Sequence, residues 1–221
     1  MVRSQDWVEQ TFGRFAWRED PGQRGRIEIL GEWERQQIVS LAPPFELHDG
    51  RGRRVWTVRC HRLAASALQR ALADLDARGL GHLINTFDGC FVPRHMGWDA
   101  RRALSRHSWG IAVDVNARLF PYGSRARQDA RLIAAFARQG FAWGGEWRTL
   151  DPMHFEVVDL AAPARELAIL VDGERVAAGL LHEGRALAPV REVAEALGAR
   201  VVARVAQGEI EVHAPSGGEA R

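Results

Sequence analysis

The sequence predicts an α+β fold: a small antiparallel sheet with flanking helices, followed by a smaller α+β module. Three observations carry this. Apolar residues recur at helical spacing over Cys60–Arg78, and several short β-branched runs read as strands. All eighteen aromatic residues lie between Trp7 and Phe155, so the end of the chain must build a core of different make-up.

Along the larger segment, Leu63, Ala64, Ala67, Leu68, Ala71, Leu72 and Leu75 form one apolar stripe, with Gly79 placed to end the helix. Leu83 to Phe87 reads as a strand ending at the Asp88-Gly89 turn signal. Ile111 to Val115 and Phe155 to Val158 read as further strands. Ser124 to Gln139 reads as a second helix, with Ser124 as N-cap, Leu132, Ile133 and Phe136 facing inward and Gly140 as the stop. The tail has its own pattern. Leu167 to Val171 and Glu174 to Ala177 flank the turn pair Asp172-Gly173 as a hairpin. Pro189 to Leu197 reads as a short helix with Gly198 beyond it, and Val201 to Val205 and Glu209 to Val212 pair across Gln207-Gly208. Ala161-Ala162-Pro163-Ala164 is the expected joint, giving domains 1–162 and 163–221, and Ser216 to Arg221 is expected to fray.

Composition excludes several function classes. The 221 residues carry 30 basic side chains, all arginine, against 28 acidic ones, a net charge of +2. That balance argues against a polybasic nucleic-acid binder, and 46% hydrophobic residues argue against wholesale disorder. No apolar run reaches the ~20 residues of a membrane span. No basic stretch followed by an apolar one marks the start of the chain. Cys60 and Cys90 are expected to be free thiols rather than a disulfide framework.

Among the histidines, His48, His61, His82, His182 and His213 lack metal-like neighbours at useful spacing. His107 and His154 differ in their company: Asp114 follows His107 by seven residues, and Asp151 and Glu156 flank His154. A catalytic zinc ion takes three protein ligands from His, Asp, Glu or Cys and keeps one position open for water. Two histidines and one carboxylate meet that need and leave the site positive, which acidifies the water. On spacing alone Asp114 could equally cap a turn, and His154 could be a hydrogen-bonded residue of the sheet.

The wider pattern is more specific. Ser105-Arg106-His107-Ser108-Trp109-Gly110-Ile111-Ala112-Val113-Asp114 fits S-x-H-x-x-G-x-A-x-D, and Trp143-Gly144-Gly145 and Asp151-Pro152-Met153-His154-Phe155-Glu156 follow it. Together they resemble the zinc peptidases that include the VanY- and VanX-like D-alanyl-D-alanine carboxypeptidases and dipeptidases, whose scaffold is shared with the hedgehog signalling domain. Gly89-Cys90-Phe91-Val92-Pro93-Arg94 adds a likeness to the L-alanyl-D-glutamate endopeptidase branch found in phage endolysins and sporulating bacteria. The resemblance covers residues 80 to 160 well and the first 80 loosely.

It implies zinc held by His107, Asp114 and His154, and Asp151 as general base, where several relatives carry glutamate. Glu146, in the Trp-Gly-Gly-Glu-Trp loop, is the rival base. Arg94 matches the arginine that steadies the scissile carbonyl oxygen, and Ser105 a substrate-contacting position. Gly110 permits a close backbone approach and Ala112 leaves room near the metal. Trp109, Trp143 and Trp147 are candidates for the substrate groove, and Glu156 for a partner that orients a ligand histidine or for a solvent-facing carboxylate. The implied substrate is bacterial peptidoglycan, cut at the L-alanyl-D-glutamate bond or, alternatively, at the D-alanyl-D-alanine end. A zinc-containing wall-binding protein with little turnover is the non-enzymatic reading. The implied place of action is the cell wall, reached from a cytoplasmic pool as in phage lysis or after loss of a leader. Val171-Asp172-Gly173-Glu174-Arg175 and Gly184 to Arg191 in the tail resemble the copper amine oxidase N-terminal-like module, although His182 and His213 make no convincing copper site.

Overall fold

The computed structural model describes residues 3–160, 165–171, 174–182, 185–187, 190–204 and 209–213. The chain divides into two compact units, Met1–Leu160 and Ala161–Arg221.

The first unit opens with α1 (Gln5–Phe12), capped by the Ser4 hydroxyl, which accepts from Trp7 N at 3.2 Å. It continues through β1 (Ala16–Glu19), β2 (Ile27–Leu30), α2 (Trp33–Gln37), β3 (Ile38–Leu41) and β4 (Val58–His61). β1 pairs with β2 and β3 with β4, both antiparallel. None of these elements is visible in the sequence pattern, because four-residue strands and an eight-residue helix are too short to show a period. Long-range contacts hold them: the buried Trp33 indole donates to the Phe12 carbonyl at 3.2 Å, and Val8 and Phe12 are buried.

Next come α3 (Arg62–Ala77), β5 (Phe87–Gly89), β6 (Ala112–Val115), α4 (Ala130–Ala137), β7 (Phe141–Trp143) and β8 (His154–Val157). The expected first helix begins two residues late, because Cys60 and His61 belong to β4 and the His61 ring accepts from Leu63 N as the cap. Its buried face is Ala64, Ala67, Leu68, Ala71, Leu72 and Leu75, while Leu63 faces solvent. Each fully buried leucine contributes about 2 kcal/mol. The second helix is shorter than expected: Asp129 caps it, and the Ser124 hydroxyl is occupied by Ala126 N in a preceding turn. The expected strand at Leu83 to Phe87 is not formed: Leu83 ends the 3-10 turn Gly81–Leu83, residues 84–86 are irregular because the Asn116 side chain accepts from Asn85 N and Thr86 N in place of a ladder, and Phe87 begins β5. Asp88-Gly89 lies inside β5 rather than in a turn.

One four-stranded antiparallel sheet, in the order β5-β6-β8-β7, positions the chemistry. Side chains alternate faces along a strand. Val113 and Val115 on β6 and Phe155 and Val157 on β8 enter the core, where Phe155 stacks on Phe136 of α4 at 4.6 Å. Asp114, His154 and Glu156 therefore share the other face. Cys60 and Cys90 are buried free thiols.

The second unit comprises β9 (Arg165–Val171), β10 (Glu174–His182), β11 (Arg185–Leu187), α5 (Val190–Ala196), β12 (Arg200–Arg204) and β13 (Glu209–His213). It has a three-stranded antiparallel sheet ordered β11-β10-β9 and an antiparallel β12-β13 pair. β9 and β10 are longer than the hairpin expected there. Ala161 to Ala164, Asp172-Gly173, Pro189, Gln207-Gly208 and Ser216 to Arg221 lie outside the described residues. Among the described residues no helix is long and apolar enough to cross a membrane.

Candidate metal centre and active site

Register brings the first two ligands together. Asp114 on β6 stands directly opposite His154 on β8, and the carboxylate Oδ1 lies 2.9 Å from His154 Nδ1. The third comes from a 3-10 turn, Arg106–Trp109, capped by the Ser105 hydroxyl and ended by Gly110. Gly110 has φ +66°, and a Cβ there would stand 2.9 Å from His61 N, so only glycine lets this turn fold against β4. The turn delivers His107 Nε2 to 3.1 Å from Asp114 Oδ2 and 3.2 Å from His154 Nδ1.

Hydrogen bonds on the far sides of the rings fix what these atoms offer. His107 Nδ1 donates to the Cys90 carbonyl at 2.8 Å, which leaves Nε2 of the neutral ring with its lone pair. His154 Nε2 donates to Glu156 Oε2 at 3.4 Å, which leaves Nδ1 with the second. With the carboxylate, three lone pairs then converge in a buried site and repel one another unless a cation lies between them. Around a tetrahedral zinc ion with bonds of about 2.0–2.1 Å, ligand atoms stand about 3.3 Å apart. His154 lies against one Asp114 oxygen and His107 against the other, and one ligand atom from each of the three residues falls within 4.8 Å of the others, close enough to share one ion. The donor set fits zinc. In the metal-free chain a proton fills the same place: burial disfavours a charged His154, but its hydrogen bonds to Asp114 and Glu156 outweigh that and raise its pKa to about 10. Burial likewise works against the Asp114 carboxylate, yet the two imidazoles hold its pKa well below the usual carboxylate range.

A cavity of about 360 Å³ opens on this face, lined among others by Arg94, Ser105, Asp114, Asp151, His154 and Glu156. The Asp151 side chain reaches it from the loop before β8. A Cβ on Gly144 would come within 2.4 Å of the Asp151 carbonyl oxygen, so glycine there admits the loop. Asp151 N donates to the Gly144 carbonyl at 2.9 Å and fixes the approach. Asp151 Oδ1 is buried without a hydrogen-bond partner, and burial raises the carboxyl pKa to about 6. A buried acceptor left open on a cavity calls for an explanation, and a catalytic role or a bound water or ion supplies one. Arg94 is locked at its backbone: Arg94 N donates to the Ser108 hydroxyl at 2.9 Å, and that hydroxyl donates back to the Arg94 carbonyl at 2.8 Å. Its guanidinium lies 3.8 Å from Asp114 and over the Trp98 ring.

The other candidates separate. Glu146 is exposed on the 3-10 turn Gly144–Glu146, 4.0 Å from Arg127 and off the cavity. Trp109 is buried, with its indole donating to Gly13 O at 2.9 Å, and Trp143 is buried, donating to Pro152 O at 2.8 Å. Both are core residues, and the aromatic wall of the cavity is instead Trp98, Tyr122 and Trp147. Two arginines of the wall, Arg102 and Arg106, carried no sequence signal beyond proximity to His107. Arg106 donates to Gln5 Oε1 at 2.5 Å and Arg3 O at 2.7 Å, and its Nε lies 4.0 Å from the Glu156 carboxylate that receives the His154 proton. Glu156→Gln is therefore expected to loosen His154 and weaken zinc binding about 10- to 100-fold, read by competition with a metal chelator. An unchanged affinity would reduce Glu156 to a wall residue.

Three converging candidate ligands beside a carboxylate with one unpartnered oxygen fit a metal-dependent hydrolase. The family model described as D-alanyl-D-alanine carboxypeptidase matches residues 98–157, the stretch that carries all three ligands and Asp151. That match and the His-Asp-His cluster point to a zinc metallopeptidase, carboxypeptidase-like in this segment. No solved structure matches the chain.

Proposed function

We propose that the protein hydrolyses the L-alanyl-D-glutamate bond of peptidoglycan stem peptides at the cell wall. The observation that carries hydrolysis is the orphaned Asp151 Oδ1 on the same cavity as the three converging ligands. The choice of bond rests on the likeness of residues 89–94 to the endopeptidase branch. A zinc ion held by His107, Asp114 and His154 would polarise the scissile carbonyl and acidify water at neutral pH. The chain's own residues do the rest. Asp151, as carboxylate, accepts the proton of the attacking water and returns it to the leaving amine. Arg94 donates to the carbonyl oxygen as it gains charge, from a backbone pinned by Ser108, so little reorganisation accompanies the step. Trp98 and Trp147 flank the cleft with apolar surface. Residues 163–221 would act as an accessory module for wall attachment or self-association.

The description of the matching family favours a second reading, release of the terminal D-alanine. Mass analysis of products from purified peptidoglycan and from a synthetic pentapeptide separates the two. New N-terminal D-glutamate supports the proposal, free D-alanine supports the carboxypeptidase, and zinc-loaded protein that releases neither overturns both in favour of wall binding.

A further inference from the structure

Four imidazoles are buried among the described residues, and three are accounted for. His107 and His154 belong to the metal centre. His61 meets a donor on one side and an acceptor on the other: Leu63 N donates to its Nδ1, and its Nε2 donates to the Phe12 carbonyl at 3.1 Å. A neutral ring serves that arrangement. His95, 4% exposed, differs because both of its nitrogens face acceptors. Nδ1 lies 2.5 Å from the Arg102 carbonyl and Nε2 lies 2.8 Å from the Glu19 carboxylate. Both nitrogens must donate, so the ring is held as an imidazolium. Hydrogen bonds assisted by charge in this way are about twice as strong as neutral ones. The Trp17 ring covers the imidazole edge-on at 5.3 Å. The other charged groups of the elements around it are engaged: Arg18 with Glu28, Asp20 with Arg26, Asp99 with Arg101 and Arg94 with Asp114. The Arg102 guanidinium turns toward Gly97, with Nη1 within 2.9 Å of where a Cβ would stand.

What this clasp joins decides its use. Residues 94–105 form a strap that folds back on itself, with Met96 N donating to Ala103 O at 3.0 Å and Ser105 N to Arg94 O at 2.9 Å. The strap leans on the β1–β2 hairpin, where His95 N donates to Gly25 O at 2.8 Å and Arg26 bridges to Arg94. Within the strap Trp98 has φ +58°, a left-handed conformation that a bulky side chain rarely adopts. A Cβ on Gly25 would meet the Trp98 backbone at 2.3 Å, so glycine there lets the hairpin press on that turn. The Trp98 ring in turn lies 5.3 Å from the Arg94 guanidinium stacked over it. His95 does not line the cavity. It ties Glu19, at the end of β1, to Arg102 on the returning arm of the strap that carries Arg94 and Trp98.

Resting on the role given to Arg94 above, we infer that the clasp of His95 and Glu19 is a positioning device for Arg94, which fixes the strap so that the guanidinium meets the scissile carbonyl. His95 and Glu19 act only through Arg94 and touch no substrate. A guanidinium that serves the transition state loses turnover when it is misplaced, even by a change remote from the chemistry.

The test removes the exposed end of the clasp, which leaves the buried ring in place for folding. In zinc-loaded protein, Glu19→Ala should lower kcat on stem peptides about 10- to 100-fold with KM and zinc content held. Glu19→Gln keeps an acceptor and should retain more of the rate. In an Arg94→Ala background, Glu19→Ala should cost nothing further, because the group it positions is gone. An equal loss in both backgrounds overturns the proposal, as does a loss expressed in KM. Nuclear magnetic resonance reads the same device without turnover. At pH 7 both ring nitrogens of His95 should carry protons, and Glu19→Ala should shift or broaden the Arg94 Nε–H signal. One bare ring nitrogen, or an Arg94 signal unmoved by Glu19→Ala, overturns the clasp. If wild type cleaves no stem peptide, these signals decide alone: a moved Arg94 upholds the device although the peptidase reading has failed.

Discussion

Asp151→Asn is expected to lower turnover about 10²- to 10⁴-fold with zinc still bound, and to stabilise the metal-free protein at pH 8. Both effects follow from one carboxyl group. Burial raises its folded pKa from 3.8 to about 6, so the folded state holds its proton more tightly than the unfolded chain does. A raised carboxyl pKa favours the fold at low pH, and that contribution is lost as pH rises from about 4 through about 6. Above that window the buried anion costs on the order of 1–2 kcal/mol, after allowing for its partial exposure. Asparagine removes the charge, so the variant should melt about 2–8 °C higher than wild type at pH 8 and together with it at pH 4. A cation nearby favours the anion, so loading zinc should shrink the gain. The same titration places the acid limb of kcat/KM at or below about pH 6, because only the carboxylate is a base. Glu146→Gln is the control: its carboxylate is exposed beside Arg127, and turnover should not change. Thermal melts of chelator-treated protein and initial rates on peptidoglycan check both halves. Full activity in Asp151→Asn would move the base elsewhere.

The candidate ligands could be singled out because each sits in a short local pattern, and the sheet then adds what no pattern states. Spacing singles out His107, Asp114 and His154, but that Asp114 faces His154 across one rung depends on register, and register is a property of two strands. Alternation along the two strands explains why Val113 and Phe155 enter the core while Asp114, His154 and Glu156 share the other face. Trp109 shows the limit. Its place inside the motif suggested a groove, whereas its buried indole ties the motif to the segment after α1 through Gly13. Trp98, Tyr122, Arg102 and Arg106 reach the cavity through loops, whose course is set by bonds such as His95 to Arg102 O. The elements before α3 were silent for the same reason: β1 to β4 exist as pairs, and a lone four-residue strand has no signature.

Removing ligands one at a time should separate metal loss from loss of charge balance. His154→Ala is expected to bring zinc content from one equivalent to near zero after dialysis, and turnover with it. Structural zinc sites bind by about 10–16 kcal/mol through four protein ligands, so on that scale losing one ligand costs roughly 3–4 kcal/mol, or about 10²- to 10³-fold in affinity. The fold should survive, since β8 is anchored by Phe155 and Val157 in the core and the imidazole lies on the opposite face. Asp114→Asn keeps the shape and should release zinc just as fully, but at a larger cost to the fold. The carboxylate lies between His107, His154 and the half-buried Arg94, and its removal leaves that guanidinium facing the imidazoles with Asp151 alone to balance it. Breaking a buried ion pair from one side costs about 3–5 kcal/mol. His154→Ala breaks the pairing with Asp114 and Glu156, whereas Asp114→Asn breaks the contacts with His107, His154 and Arg94 together, so the ordering expected is equal zinc loss in the two variants, with Asp114→Asn melting below His154→Ala in the absence of metal. Elemental analysis and thermal melts of the two chelator-treated proteins decide it. Zinc retained in both would place the metal elsewhere. Equal melting would mean that Asp114 contributes only as a ligand, and that Arg94 is balanced by Asp151.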